Sequence, residues 1–310
     1  MTTNDMIVME ALQWATQQLK THPQVFCASP LLEAETLLSE LLQKPKALLI
    51  AHMEQDLSLE QWEQFQDWIK RRCKHEPVAY LVGKKEFYGR SFIVNPSVLI
   101  PRPATETLVD LTLEAAKEMH PDRSLFLDIG TGSGVIAITL VAESGIPAIA
   151  TDLSKEALEI ARLNAQHLGV EEKIHFLEGN LLEPILPLLK SMMEKRKQQP
   201  AAEHLEQIIL CANLPYLTHT QWEEGQKDVR DFEPKSALTS GVDGLDAYFE
   251  LFKQIKKYRR WFPERLTLLC EMDPSQSRQM MALLSRHFPT SPLTITKDLE
   301  GYDRVIQIEL

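Results

Sequence analysis

Three glycines at alternate positions form the clearest candidate binding loop in this chain. The loop follows a short apolar run and opens a helical pattern, and it comprises Asp128, Ile129, Gly130, Thr131, Gly132, Ser133 and Gly134. Glycines let the backbone turn tightly and let a ligand lie directly against it. Asp152 ends the next predicted strand, where a carboxylate can accept hydrogen bonds from both hydroxyls of a ribose. The spacing predicts a nucleotide-type ligand.

Two ligand classes are compatible with this loop on its own. Gly132, Gly134 and Ala137 satisfy the dinucleotide fingerprint, in which the N-terminus of a helix holds a pyrophosphate. The alternative is S-adenosylmethionine, which has no phosphates and carries an ammonium group. Asp128, at the end of the strand, is a suitable acidic neighbour for that ammonium.

A tetrapeptide after the fourth predicted strand favours methyl transfer to a planar NH2 group. It consists of Asn213, Leu214, Pro215 and Tyr216, at the edge where open α/β sheets bind ligands. The amide oxygen of Asn213 and the backbone carbonyl of Leu214 can together accept the two hydrogens of one NH2. Tyr216 can pack its ring against the planar group. We predict that all four residues contact the substrate and that Asn213, Pro215 and Tyr216 are catalytic.

The expected catalysis consists of positioning and electrostatics, with no metal and no strong base. The lone pair of such an NH2 is delocalised into a carbonyl or a ring, so the nitrogen is a poor nucleophile. Two acceptors that bind its hydrogens help to localise the lone pair and aim it at the methyl carbon.

Alternating strands and helices are predicted to position both motifs. Strand patterns occur at 125–127, 148–150, 174–176 and 208–211, and helical patterns at 135–141 and 155–168. This alternation predicts a parallel sheet that is covered on both faces. Further strands are expected at 265–271 and 304–308. The long, charged stretch 181–207 is expected to form a helical excursion or a surface insert.

The chain ahead of this region carries helical periodicity. One apolar stripe comprises Leu31, Leu32, Ala34, Leu37, Leu38, Leu41 and Leu42, behind a predicted cap at Ser29 and a proline at Pro30. A second helix is expected after a cap at Ser58, with one face formed by Trp62, Phe65, Trp68 and Ile69. Two short strands around Gly89 and an extended, proline-containing linker at 99–103 follow. We therefore predict a helical bundle at 1–82, a hairpin and linker at 83–104 and a Rossmann-like domain at 105–310.

Composition excludes several classes of protein. The 310 residues are 44% hydrophobic and 25% charged, which is ordinary for a globular chain and excludes disordered and collagen-like proteins. The formal charge of −11, from 44 acidic and 33 basic side chains, argues against stable binding to nucleic acid or to an anionic membrane. The apolar runs are too short to span a bilayer.

The cysteines and the first residues indicate a cytoplasmic protein. Cys27, Cys73, Cys211 and Cys270 are scattered, so free thiols are expected rather than a disulfide framework or a zinc site. None of the nine histidines lies at metal-ligand spacing, and no metal site is predicted. The run that begins at Met1 has no signal-peptide pattern.

With these motifs taken together, the chain resembles the protein-(glutamine-N5) methyltransferases, and within them the branch that acts on peptide chain release factors. The resemblance extends over nearly the whole chain. It rests on 29–38, 76–89 and 99–106, on the glycine loop and the tetrapeptide, and on 232–238 and 241–245. The combination is specific, whereas each segment alone is not.

The resemblance implies that S-adenosylmethionine binds to the loop Gly130–Gly134, with Asp152 on its ribose and with Asn180, Leu181 and Asn213 also at the cofactor. It implies that the tetrapeptide holds the glutamine of the Gly-Gly-Gln loop of a release factor. The helical bundle would then help to dock that release factor.

Four features depart from the family pattern. Leu214 replaces a proline. The carbonyl that accepts from the substrate NH2 belongs to the backbone and is therefore kept, and Pro215 still biases Leu214 to extended conformations. Ala104 replaces a glutamate in the linker. Asn180 replaces an aspartate near the adenine and can still donate and accept hydrogen bonds. The stretch 181–207 is longer than is usual in the family.

Three other functions remain to be weighed. A nucleic-acid adenine N6-methyltransferase also handles a planar NH2, but those related enzymes place their helical domain after the catalytic one. A ribosomal-protein glutamine methyltransferase is a closer alternative, and a non-catalytic S-adenosylmethionine-fold module is the third. Arg102, between Pro101 and Pro103, is interpreted as an anchor of the linker rather than as a catalytic residue.

Overall fold

This computed structural model describes residues 6–22, 29–198 and 204–310 of the chain. The chain forms two compact units. One unit comprises Met1–Lys84 with Gln226–Phe232, and the other comprises Lys85–Gly225 with Glu233–Leu310. The sequence did not indicate that a segment from beyond residue 220 would join the first unit. The predicted boundaries at 82 and 104 stay predictions.

Amphipathic helices form the first unit. In chain order they are α1 (Val8–Thr21), α2 (Pro30–Leu42), α3 (Lys46–Ala51), α4 (Leu59–Arg72) and α5 (Val78–Val82). The predicted cap of α4 is confirmed, because the Ser58 hydroxyl accepts from the Gln61 N–H at 3.2 Å and the Gln61 side chain accepts from the Ser58 N–H at 2.9 Å. Phe65 and Ile69 of its apolar face are buried.

Helix α2 buries a narrower face than the sequence predicts. It begins at Pro30 with Ser29 at the cap, but the Ser29 side chain makes no capping hydrogen bond. Ala34 and Leu37 are fully buried, whereas Leu31 and Leu32 are half exposed. Leu32 lies on the opposite side of the helix from Ala34, since each residue turns the helix by about 100°. The two leucines thus belong to the apolar stripe of the sequence but not to the buried face of the helix.

The second unit contains nearly all of the strands. After a hairpin of β1 (Lys84–Phe87) and β2 (Arg90–Ile93), the elements are α6 (Glu106–Ala115), β3 (Ser124–Ile129), α7 (Val135–Ser144), β4 (Ala148–Asp152), α8 (Lys155–His167), β5 (Ile174–Glu178), α9 (Leu186–Gln198), β6 (Gln207–Ala212), α10 (His219–Glu223), α11 (Lys227–Phe232, in the first unit), α12 (Asp246–Tyr258), β7 (Arg265–Glu271), α13 (Ser277–His287), β8 (Leu293–Lys297) and β9 (Asp303–Glu309). The hairpin turn lies at Tyr88 and Gly89, which both have positive φ.

One seven-stranded sheet has the order β5-β4-β3-β6-β7-β9-β8. The first five strands in that order are parallel, which confirms the predicted Rossmann-like α/β fold. At one edge β9 runs antiparallel to β7 and β8, a direction that the sequence did not indicate. Strand β8 was not predicted. It is a partly exposed edge strand, so it lacks the continuous apolar run of the central strands.

Alternate residues of the central strands pack into two separate cores. On β3, Leu125, Leu127 and Ile129 belong to the core on one face of the sheet. Phe126 belongs to the core on the other face, together with the hairpin residues Phe87 and Phe92. Because successive side chains of a strand point to opposite faces, this division means that the sheet is covered on both sides, as predicted.

The stretch 181–207 begins inside the core. Leu182, Ile185 and Leu189 are fully buried against the first of these cores. Helix α9 confirms the predicted helical excursion as far as Gln198, and residues 199–203 lie outside the described part. The first part of this stretch is thus core structure rather than a surface addition.

The sequence-based expectations about membrane spans, metal sites and cysteines can be compared with the described residues. Within them, no helix is long and apolar enough to cross a membrane. No group of three or more candidate ligand side chains could hold a metal ion within the same ranges. Cys73, Cys211 and Cys270 are buried and unpaired, and Cys27 lies outside the described residues.

Candidate active site

A cavity of about 550 Å³ lies at the carboxyl ends of β3, β4 and β6. Strand β3 has β4 on one side and β6 on the other, and open α/β sheets bind ligands where the strand order reverses in this way. The predicted site residues that line the cavity are Gly130, Thr131, Gly132, Ser133, Asp152, Asn180, Leu181, Asn213, Leu214 and Pro215. Asp128, Gly134 and Tyr216 do not line it.

The three glycines of the loop have different roles, although each has positive φ. A Cβ on Gly132 would meet no atom within 4 Å, so its backbone borders open space. A Cβ on Gly134 would lie 2.8 Å from Ile138 Cδ1, so glycine is required for the loop to pack on α7. A Cβ on Gly130 would lie 2.9 Å from Leu214 Cδ2. Gly130 and Gly132 both line the cavity, and of the two only Gly132 has open space where a side chain would begin.

Asp128 supports the loop from below. Its side chain is fully buried, and its Oδ2 accepts from the Thr131 hydroxyl at 2.6 Å and from the Ala137 N–H at 3.1 Å. Burial raises the pKa of this carboxyl to about 6, although both hydrogen bonds oppose the rise. The other oxygen, Oδ1, has no hydrogen-bond partner within the described chain. The carboxylate thus fixes the loop between β3 and α7.

Asp152 connects the end of β4 to the glycine loop and also borders the cavity. Its Oδ2 accepts from the Gly132 N–H at 2.8 Å, and its Oδ1 accepts from the Ser154 N–H at 2.9 Å. Burial raises the pKa of the Asp152 carboxyl, and the backbone hydrogen bonds oppose that rise. A carboxylate has about four acceptor positions, so these backbone hydrogen bonds leave acceptor capacity for a ligand.

Asn180 and Leu181 form the wall of the cavity after β5. Leu181 has a φ of 52°, and its carbonyl accepts from the Thr151 hydroxyl at 3.0 Å. The next N–H, that of Leu182, donates to Gln254 Oε1 at 3.0 Å. These bonds hold the backbone of the turn, and they leave the Asn180 side chain at the cavity surface.

Thr105 orients the side chain of Asn213. The Asn213 Nδ2 donates to the Thr105 hydroxyl oxygen at 3.1 Å. Thr105 is buried just before α6, and it lies 108 positions away in the sequence. With the nitrogen engaged in this way, the amide oxygen of Asn213 is the acceptor that remains for a ligand in the cavity.

Leu214 joins the tetrapeptide to the glycine loop and to α12. Its side chain is buried against Gly130, and its N–H donates to the Tyr248 hydroxyl at 3.2 Å. Tyr248 is fully buried, and its hydroxyl also lies within hydrogen-bond distance of the backbone carbonyls of Ala212 and Glu271. The leucine that replaces the family proline therefore gains a backbone hydrogen bond and a side-chain contact.

Tyr216 is the one member of the tetrapeptide that does not line the cavity. Its carbonyl accepts from Gln276 Nε2 at 2.8 Å. A Cβ on Gly244 would lie 2.0 Å from that carbonyl oxygen, so only glycine fits there. Burial raises the pKa of the Tyr216 phenol, and the nearby charge of Glu271 raises it further. The predicted packing of this ring against a substrate stays a prediction.

Arg102 anchors the linker. It forms an ion pair with Glu233, whose carboxylate also accepts from the Ile100 N–H at 3.1 Å. The Glu233 side chain is buried, so the pair fixes the extended linker where it borders the cavity. This geometry supports the interpretation of Arg102 as an anchor.

Sequence reasoning assigned no site role to five residues that hold the tetrapeptide and the linker in place. They are Thr105, Glu233, Tyr248, Glu271 and Gln276. The first two lie in segments that carried the family resemblance, but that resemblance gave them no role. A lone threonine or glutamate has no spacing signal, so only the folded chain reveals these partners.

Close relatives match over nearly the full length. The release factor glutamine methyltransferase of Bacillus anthracis is 31% identical over 307 residues, which are 98% of this chain and 100% of that protein. The enzyme of the same name from Enterococcus faecalis is 36% identical over 262 residues, 84% of this chain and 85% of its own. A bifunctional methyltransferase of Rickettsia conorii is 32% identical and covers 96% of this chain and 57% of its own length.

Two family models match parts of the chain, and one solved structure is similar to it in fold. The PrmC N-terminal domain model matches residues 10–83, and the ribosomal protein L11 methyltransferase (PrmA) model matches residues 105–190. The hMettl16 catalytic domain, solved in complex with MAT2A 3′UTR hairpin 6, is 11% identical with a TM-score of 0.54. It covers 78% of this chain and 81% of its own, and it supports the fold alone. Because relatives of that name are more than 30% identical over most of both chains, this chain belongs to the release factor glutamine methyltransferase family.

Proposed function

We propose that this protein transfers a methyl group from S-adenosylmethionine to the side-chain nitrogen of the glutamine in the Gly-Gly-Gln loop of peptide chain release factors. The observation that carries the proposal is the Asn213 side chain, whose nitrogen is held by Thr105 so that its oxygen is free beside the glycine loop. The assignment of release factors as the substrate is supported by the relatives, which are named release factor glutamine methyltransferases.

The cavity suits S-adenosylmethionine. Gly132 offers open backbone, and Asp152 has acceptor positions left for ribose hydroxyls. Asn180 lies where an adenine can be met by both a donor and an acceptor. When bound, this cofactor supplies a methyl group attached to a positively charged sulfur. Asp128 then acts through the loop, because its Oδ2 is already bonded to Thr131 and Ala137.

The tetrapeptide supplies the grip on the substrate. The Asn213 amide oxygen and the Leu214 carbonyl accept the two hydrogens of the glutamine NH2. Two fixed acceptors favour the geometry in which the nitrogen lone pair is directed away from the amide plane. Pro215 lines the cavity next to them. The protein thus contributes positioning and electrostatics.

The first unit is proposed to dock the release factor. Its support is the match of residues 10–83 to the PrmC N-terminal domain, together with half-exposed leucines on α2. We propose that the activity belongs to the cytoplasm, where translation terminates. Stable binding to nucleic acid is not expected from a chain with a net charge of −11.

Mass spectrometry of a release factor tests this function. The protein is incubated with S-adenosylmethionine and the release factor, and the Gly-Gly-Gln peptide is examined for one added methyl group on glutamine. Asn213→Ala is expected to nearly abolish the transfer while the affinity for S-adenosylmethionine stays within a few-fold, because the lost contact is to the substrate.

Other outcomes point to other functions. Label in a ribosomal protein or in ribosomal RNA would keep the chemistry and replace the substrate. No transfer to any of the three would leave only a cofactor-binding fold. An Asn213→Ala protein with wild-type turnover would remove the proposed grip.

A further inference from the structure

A buried carboxylate lies behind the tetrapeptide without a conventional partner. Glu271 ends β7 and its side chain is 1% exposed, and neither of its oxygens makes a hydrogen bond of ordinary geometry within the described chain. The hydroxyls of Thr105 and Tyr216 are nonetheless close enough to stabilise its charged form, and Arg304 and Arg102 do so by charge. Burying a carboxylate without good partners is costly, so this position calls for an explanation.

Donor and acceptor rules connect Glu271 to Asn213 through Thr105. A threonine hydroxyl has one hydrogen to donate and two lone pairs to accept. An ionised carboxylate only accepts, so the Thr105 hydrogen is drawn toward Glu271. The Thr105 oxygen must then accept from Asn213, and only the Nδ2 end of the amide can donate. This order agrees with the 3.1 Å bond from Asn213 Nδ2 to Thr105.

The reverse order would disable the grip. Without the pull of a carboxylate, the Thr105 hydroxyl can donate to the Asn213 amide oxygen instead. The amide would then turn by 180°, an exchange that costs little in shape because oxygen and NH2 are nearly equal in size. Its NH2 would face the cavity and oppose the NH2 of the substrate.

We propose that Glu271 and Thr105 are positioning residues that fix which end of the Asn213 amide faces the substrate. The catalytic consequence of this orientation rests on the proposed function. The orientation of the Asn213 amide itself is a property of this chain and can be measured without a substrate. Glu271 does not line the cavity, whereas Thr105 does. Both act through Asn213.

The rate is expected to rise with pH through neutrality. Burial raises the pKa of Glu271 to about 7, so the carboxylate is charged above that pH and becomes protonated below it. A protonated Glu271 can donate to Thr105 and so permit the reversed order. The charged and titratable groups that face Glu271 are Arg102 from the linker, Arg304 from β9, Tyr216 from the tetrapeptide and Tyr248 from α12.

Kinetics of Thr105 variants test the proposal. Thr105→Val removes the hydroxyl and is expected to lower kcat at least about tenfold, with the affinity for S-adenosylmethionine within twofold of wild type. Thr105→Ser keeps the hydroxyl and is expected to recover most of that loss. Thr112→Val is the matched control, because it removes another buried hydroxyl further along α6 that donates to the Leu108 carbonyl. Wild-type kcat in Thr105→Val would overturn the proposal.

Glu271→Gln provides a second variant that tests the titration. Glutamine cannot ionise, so the rise of kcat between pH 6 and 8 is expected to disappear. An unchanged pH profile in this variant would overturn the role of Glu271. This readout does not depend on whether Thr105→Val folds.

Nuclear magnetic resonance separates this proposal from the proposed function. The Asn213 side-chain amide signals are identified by their loss in Asn213→Asp, and their hydrogen exchange is measured with no substrate present. Slow exchange in wild type that becomes fast in Thr105→Val supports the orientation, even if no release factor is methylated. Equal exchange in the two proteins would overturn the proposal, even if release factor methylation is observed.

Discussion

The hydroxyl of Tyr248 offers a quantitative test of how the tetrapeptide is held. It accepts from the Leu214 N–H at 3.2 Å, and both residues are buried. Tyr248→Phe removes only the oxygen and keeps the ring in the core around α12. The Leu214 N–H is then left without its partner inside the fold.

The expected loss of stability follows from that orphaned N–H. A buried donor left without a partner costs about 1–3 kcal/mol, and we take about 2 kcal/mol for this site. For a unit of this size, 1 kcal/mol corresponds to about 2–4 °C, so Tm is expected to fall by about 4–8 °C. Tyr302→Phe is the matched control, because Tyr302 is exposed and no change beyond about 1 °C is expected.

A double-mutant cycle with Leu214→Pro assigns the loss to this hydrogen bond. Proline has no N–H, so nothing at position 214 is orphaned when the hydroxyl of Tyr248 is removed. In the Leu214→Pro background, Tyr248→Phe is expected to cost about 1–2 kcal/mol less than in wild type. The assay is thermal and urea unfolding of all four proteins. An equal cost in both backgrounds would refute the reasoning.

Three further outcomes are expected. In calorimetric titration, Asp152→Ala should weaken the binding of S-adenosylmethionine about tenfold or more, and this loss of affinity should exceed any loss of methyl-transfer rate in the cofactor-bound protein. An unchanged affinity would contradict the ribose contact. Gly134→Ala should lower the free energy of unfolding by about 2 kcal/mol more than Gly145→Ala, because both have positive φ but only the former meets Ile138 at 2.8 Å; equal losses would exclude the clash. Leu32→Asp should raise KM for the release factor with kcat unchanged, and an unaltered KM would remove α2 from the docking surface.

Local patterns predicted most elements of the second unit. Continuous apolar runs gave the central strands, since a parallel strand is buried on both faces, and alternate side chains of β3 do reach both cores. Such patterns fail at an edge. Strand β8 is only partly buried, so it lacks the run that marks a strand, and its antiparallel pairing with β9 was missed for the same reason.

By itself the sequence determined which segments carry the chemistry. The glycine loop, Asp152 and the tetrapeptide each follow a strand, and motifs that follow parallel strands must meet at one edge of a sheet. Only the tertiary structure decided which of these residues line the cavity and which lie behind it. Asp128 and Tyr216 belong to the motifs, yet neither lines the cavity.

The partners of the tetrapeptide were likewise decided by the fold. Thr105 meets Asn213 across 108 positions, and Tyr248 meets Leu214 across 34. Neither sequence separation follows from the periodicity of a helix or a strand. Each depends on the order of strands in the sheet and on where the connecting helices return to it. Local residue patterns specify helices and strands through short-range sterics and burial, whereas these hydrogen bonds exist only once β6 lies between β3 and β7.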